Sequence, residues 1–217
     1  MKTLEVRLSE GREYRDMAPL QRAEGDEKIV EGYATTFNQP YELFRDAWGG
    51  TNYIFREQVD PAAFENCDMD DVIMQYNHEG RVFARTSNGT LGLDADMKGL
   101  HIRADLGGTE IGRQLYEEIE GGYTDKMSFG FRVGKDKREE VEEYDAESGI
   151  TTVTVLRTIL EITKLYDVSA VSIPANDATS ISARNYCDGV AAEIKEEILA
   201  REARERQKQK IRILMEV

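Results

Sequence analysis

Cysteine is nearly absent: the 217-residue chain has two, Cys67 and Cys187, and neither belongs to a Cys-x-x-Cys pair. A disulfide framework is excluded, and the simplest compartment is a reducing cytoplasm. Histidine is equally scarce. His78 and His101 are the only two, without a His-Glu-x-x-His spacing, so no recognisable zinc pattern exists and no cofactor is called for. No apolar run approaches the roughly 18 residues needed to span a membrane, and "MKTLEVRLSEGREYRDM" lacks the apolar centre of a secretory signal. The glycine patterns that cradle phosphates are missing, as is the Gly-x-Ser-x-Gly elbow. Basic charge is in deficit, with 28 Lys and Arg against 42 Asp and Glu and a net charge of −14. A primary nucleic-acid partner would call for the opposite sign.

What is present divides into one sizeable domain over residues 1–187 and a charged helical tail over 188–217. The domain starts with a strand-like "TLEVRL", a polar linker "SEGREYRDMAPLQRAEGDEK", and an aromatic, β-branched region punctuated by Gly and Pro. "DPAAFENC" reads as a short helix with Pro61 in its first turn. "DVIMQYNHE" reads as a strand, and "GTLGLDAD" with "GLHIRADL" as a hairpin. "TEIGRQLYEEIEGG" is a helix capped by Thr109 and ended by Gly121–Gly122, with Ile111, Leu115 and Ile119 on one face. "MSFGFRV", "TTVTVLRTILEI" and "LYDVSAVSI" are further strands, and the charged "GKDKREEVEEYDAESG" between the first two reads as a solvated loop. Many short strands with few helices predict an α+β fold, a small mostly antiparallel β-barrel with flanking helices. In the tail, Val190, Ile194 and Ile198 recur every four residues, an apolar stripe suited to packing or to docking a partner.

The chemistry centres on "DKMSFGFRV". Met127, Phe129, Phe131 and Val133 alternate with Ser128, Gly130 and Arg132, so a serine and a glycine share the face opposite the apolar one. Glycine inside a strand marks close approach of another group, here read as room for a substrate backbone. A nucleophilic serine needs a base near neutrality and a group that orients the base. His78, at a strand end in "QYNHEG", is the candidate base. His101 lies mid-strand and shares its face with Arg103 and Asp105, which suits a solvated surface position. In "LYDVSAV", Asp167 and Ser169 lie opposite the apolar Tyr166, Val168 and Ala170. Ser128 and Asp167 are thus expected on faces turned away from the core, as a site on the outer wall of a barrel requires.

The ordered blocks "EGYATTFN", "YNHE", "ARTSNGTLGLDADMKGL", "MSFGF" and "RTILEITKLYDVSAVSIPAN" resemble the prohead proteases of tailed double-stranded DNA bacteriophages. That family is similar in fold and task to assemblin, the herpesvirus maturation protease. The resemblance implies a serine endopeptidase, packaged in the immature capsid in the host cytoplasm. It would digest the scaffold or the scaffold-like domain of the major capsid protein, and itself. It implies Ser128 as nucleophile, His78 as base and Asp167 as the third member, where the family usually has Glu. That departure leaves Glu161, and His101 by analogy with assemblin, as alternatives. Arg85, in "FARTSNG", fits the pattern as a structural or site-lining residue. No cofactor, membrane or nucleic-acid partner is implied, and self-association is possible.

Overall fold

The computed structural model describes residues 10–25, 27–172 and 177–215. The chain divides into two compact units, Met1–Ala183 and Arg184–Val217. "TLEVRL" lies outside the described residues.

The first unit is built on two sheets. The larger has seven strands: β1 (Glu13–Pro19), β4 (Tyr41–Trp48), β5 (Thr51–Val59), β6 (Ile73–Tyr76), β7 (Glu79–Arg85), β10 (Lys126–Asp145) and β11 (Ile150–Val171). Its spine is the long β10–β11 hairpin. β1 runs antiparallel to the base of β10, while the other side of β11 is shared by β5 and β6, both parallel to it. The smaller sheet orders β2 (Gln21–Arg22), β3 (Ile29–Thr36), β9 (Gly99–Asp105) and β8 (Leu91–Ala95), all antiparallel. α1 (Glu110–Glu120) follows, with the Thr109 hydroxyl accepting from Gly112 N at 3.0 Å as an N-cap.

The inner faces share one core. Val30, Ala34, Leu100 and Ile102 of the smaller sheet meet Met74, Met127, Phe129, Phe131 and Val168 of the larger, with Leu115 and Ile119 of α1 added. The period-2 pattern of "MSFGF" therefore does what it predicts for its apolar residues. The sheets meet through an isolated backbone bridge between Phe37 and Val59, not through a continuous ladder. The described strands form two packed sheets, and the expected closed barrel is not found. β11 pairs in succession with β5 and β6 along its outer edge, and among the described residues no ladder joins the edge strands β1 and β4 to each other or the larger sheet to the smaller.

Four local expectations change. The polar linker contains β1. "GKDKREEVEEYDAESG" is exposed but mostly strand, held by backbone pairing from Lys135↔Glu161 to Asp145↔Ile150. "DPAAFENC" forms successive turns, with Ala63 N bonded to Asp60 O and Cys67 N to Phe64 O, instead of a helix. The terminal helix, α2 (Asp177–Met215), starts before the tail expected at 188 and runs through Gly189. One glycine costs a helix only about 1 kcal/mol, which is too little to end it.

Candidate active site

His78 is presented by a two-residue turn of the larger sheet. Tyr76 and Glu79 pair across the β6–β7 ladder, leaving Asn77 and His78 as a two-residue loop with φ of 48° and 59°. Two-residue hairpins favour positive φ at both central positions, and Asn and His tolerate it better than most residues. Asn77 N donates to Ala170 O at 2.9 Å, which ties the turn to β11 beside Asp167.

Asp167 owes its direction to a break in the ladder. Gly130 pairs with Asp167 and Phe131 with Leu165, so Tyr166 is left without a partner on β10. A bulge of this kind re-aims the side chains next to it. The carboxylate then lies over Gly130. A Cβ at that glycine would sit 2.6 Å from Asp167 Oδ2 and 2.9 Å from the Tyr14 ring. The space is therefore occupied by the chain's own acid and tyrosine, and the expectation that it admits a substrate backbone is corrected.

Ser128, His78 and Asp167 are brought together. His78 Nε2 lies 2.7 Å from Ser128 Oγ, and His78 Nδ1 is hydrogen-bonded to Asp167 Oδ1. An ionised carboxylate only accepts, so Nδ1 carries the proton and Nε2 offers its lone pair to the serine hydroxyl. Asp167 Oδ1 also accepts from Ser169 Oγ at 3.0 Å, and the Arg12 guanidinium stands 3.5 Å from Oδ2. Burial pushes the Asp167 carboxyl up, but the His78 imidazole, Arg12 and Ser169 outweigh it and hold the group below the ordinary carboxylate range. The Tyr14 ring meets the imidazole edge-on, with 4.5 Å between centroids.

The three residues are closed off, at 0% (Ser128), 2% (His78) and 1% (Asp167) exposure. The faces expected to look outward are covered. Chemically, the row holds a hydroxyl, a base with its free nitrogen aimed at it, and an anion that fixes the base, which is what proton abstraction from a serine requires.

The other candidates lie elsewhere. His101 sits in the smaller sheet with its ring 5.1 Å from that of Tyr33. Glu161 is opposite Lys135, earlier on β11. Arg85 pairs with Asp71, Nε to Oδ1 at 2.9 Å. Arg12 and Tyr14 were hidden in a stretch read as linker. The local sequence offered no signal, since "REYRDM" carries charged residues at both alternating positions.

Residues 16–192 match the family described as Caudovirus prohead serine protease. The chain belongs to that family. The prohead protease of Enterobacteria phage HK97 is 28% identical over 171 residues, covering 77% of this chain. The chain spans 64% of that relative's length. No solved structure matches significantly. As a Caudovirus prohead serine protease family member it carries the serine, histidine and acid in one hydrogen-bonded row, and among its described residues no helix is long and apolar enough to cross a membrane.

Proposed function

We propose that this chain is a serine endopeptidase of capsid maturation, with Ser128 as nucleophile, His78 as general base and Asp167 as the group that orients it. The observation that carries the reading is the unbroken run of contacts from Ser128 Oγ through the His78 ring to Asp167 Oδ1. As Ser128 Oγ attacks a peptide carbonyl, its proton passes to His78 Nε2. Asp167 stabilises the imidazolium that forms, and backbone N–H groups take the charge on the carbonyl oxygen. Collapse of the tetrahedral intermediate breaks the C–N bond, and His78 returns the proton to the leaving amine. Water then attacks the acyl-enzyme by the same route, which frees the new carboxylate and restores Ser128.

The substrates in this reading are the major capsid protein or its scaffold, and the chain itself, inside an immature capsid in the host cytoplasm. The protease would occupy residues 1–187, in a herpesvirus-protease-like arrangement, with 188–217 as an appendage. A second reading, a non-enzymatic capsid-associated or scaffold component, draws on the complete burial of Ser128. Intact mass spectrometry of the capsid protein co-expressed with this chain separates the two. Shortened products with wild type that vanish with Ser128→Ala support the peptidase; identical masses in both overturn it.

A further inference from the structure

We propose that Ser169 is a positioning residue for this reaction: its hydroxyl fixes the plane of the Asp167 carboxylate, and through it the orientation of the His78 ring. The inference rests on the reading of Ser128, His78 and Asp167 given above. Ser169 is fully buried, and its Oγ donates at 3.0 Å to Asp167 Oδ1, the oxygen that also accepts from His78 Nδ1. It follows Asp167 by two positions on β11 and so shares its face. It also pairs directly with Ser128 across the β10–β11 ladder.

The need for a second donor follows from the freedom of the acid. The terminal torsion of an aspartate is broad. His78 alone does not fix it, because one hydrogen bond to Oδ1 leaves the carboxylate plane free to rotate about that contact. Gly130 supplies room beneath Oδ2. Arg12 approaches Oδ2 at 3.5 Å, which attracts the carboxylate without defining its plane. A hydroxyl on Oδ1 removes the remaining rotation. The Ser169 hydroxyl is spent on Asp167 Oδ1, so its effect travels through that carboxylate and not directly to the reacting atoms.

The test uses the full chain and a fluorophosphonate probe that labels a reactive serine, together with the His78 Nδ1 proton resonance in histidine-labelled protein. Ser169→Ala is expected to lower the maximal labelling rate of Ser128 about 10- to 100-fold, the size of a hydrogen bond to a charged group, with the probe's half-saturation concentration unchanged. The Nδ1 resonance should move in the same variant. Ser169→Thr and Ser169→Val have the same shape and differ in the hydroxyl. Thr should keep the wild-type rate and resonance, and Val should lose both. Wild-type labelling and an unmoved resonance in Ser169→Ala would overturn the proposal, as would equal losses in Thr and Val, which would trace to packing. Failure of the wild-type chain to label at Ser128 both in dilute solution and inside assembled capsid shells would instead remove the nucleophile assignment, while the resonance still decides whether Ser169 holds the imidazole.

Discussion

Gly130 is the residue at which the site has least tolerance. The Cβ of Gly130→Ala would lie 2.6 Å from Asp167 Oδ2 and 2.9 Å from a Tyr14 ring that is itself fully buried. Tyr14 has nowhere to go, so the carboxylate must swing off His78. Expected outcomes are a loss of serine labelling of about 100-fold or more, and destabilisation of about 1–3 kcal/mol from overpacking, read by urea unfolding. Asp167→Asn addresses the same bond from the other side. An amide can donate to Nδ1 and favour the wrong tautomer, which in a Ser-His-Asp site costs about 10⁴-fold in turnover. Asp167 also sets a pH dependence. Its folded pKa lies below the ordinary carboxyl value, despite burial, through His78, Arg12 and Ser169. Its contribution to stability is therefore present above the ordinary carboxyl range and lost as pH falls through the depressed folded value. Melting temperature measured from pH 6 downward should fall less steeply in Asp167→Asn than in wild type. Parallel curves would mean that the carboxylate is not the group being protonated.

At the scale of elements, β1 decides the site's surroundings, since it carries Tyr14 to His78 and follows directly on Arg12. What holds β1 is a buried ion cluster on the opposite face. Arg15 meets both oxygens of Glu57, at 2.6 and 2.9 Å, and Arg157 on β11 reaches Glu57 at 2.9 Å and Glu13 at 2.7 Å. Tyr41 on β4 donates to Glu57 as well, and burial together with that carboxylate keeps its phenol protonated, well above the usual range. Removing one partner of such a cluster strands the other charges. Glu57→Ala should therefore cost about 3–5 kcal/mol in urea unfolding, with serine labelling falling in step if β1 detaches. A loss below 1 kcal/mol would mean that water enters the cluster freely. The cluster also explains why this element was illegible. "REYRDMAP" is polar on both faces, and only its distant partners Glu57 and Arg157 turn those charges into a strand's buried side. The charged arm of β10 was missed for a related reason, because its order comes from the backbone ladder to "TTVTVLRTILEI" and not from its own side chains. What was legible was local or chemically rare. Thr109 and Gly121–Gly122 bracket α1 by capping chemistry, the β8–β9 hairpin alternates cleanly, and a chain with two histidines leaves little choice of imidazole to meet Ser128. The direction of Asp167 could not be read, because the bulge at Tyr166 is a property of the ladder.

At the scale of the molecule, the burial of the proposed nucleophile has a consequence for when the chain would act. Ser128 is at 0% exposure and His78 at 2%, so a peptide carbonyl reaches Oγ only after the cover over the row opens. If the open form is a minor population, the observed rate is the intrinsic rate scaled by that fraction, and any partner that binds the open form preferentially raises it. Under the proposed function, an immature capsid would supply such a partner in the form of substrate at high local concentration. The expected outcome is slow probe labelling of Ser128 in the dilute chain and labelling at least about 10-fold faster inside assembled shells of capsid protein, compared at equal probe concentration. The same measurement on a chain ending at Cys187 assigns the cause. Met1–Ala183 holds the three residues and both sheets, so the shortened chain should still unfold cooperatively. If its labelling is as slow as that of the full chain, the cover belongs to the protease unit, where Tyr14 packs on the imidazole and Arg12 on Tyr166. Fast labelling on truncation would place the restraint outside that unit. Equal labelling rates in free chain and shell would sink the opening step altogether and leave Ser128 reactive as it stands.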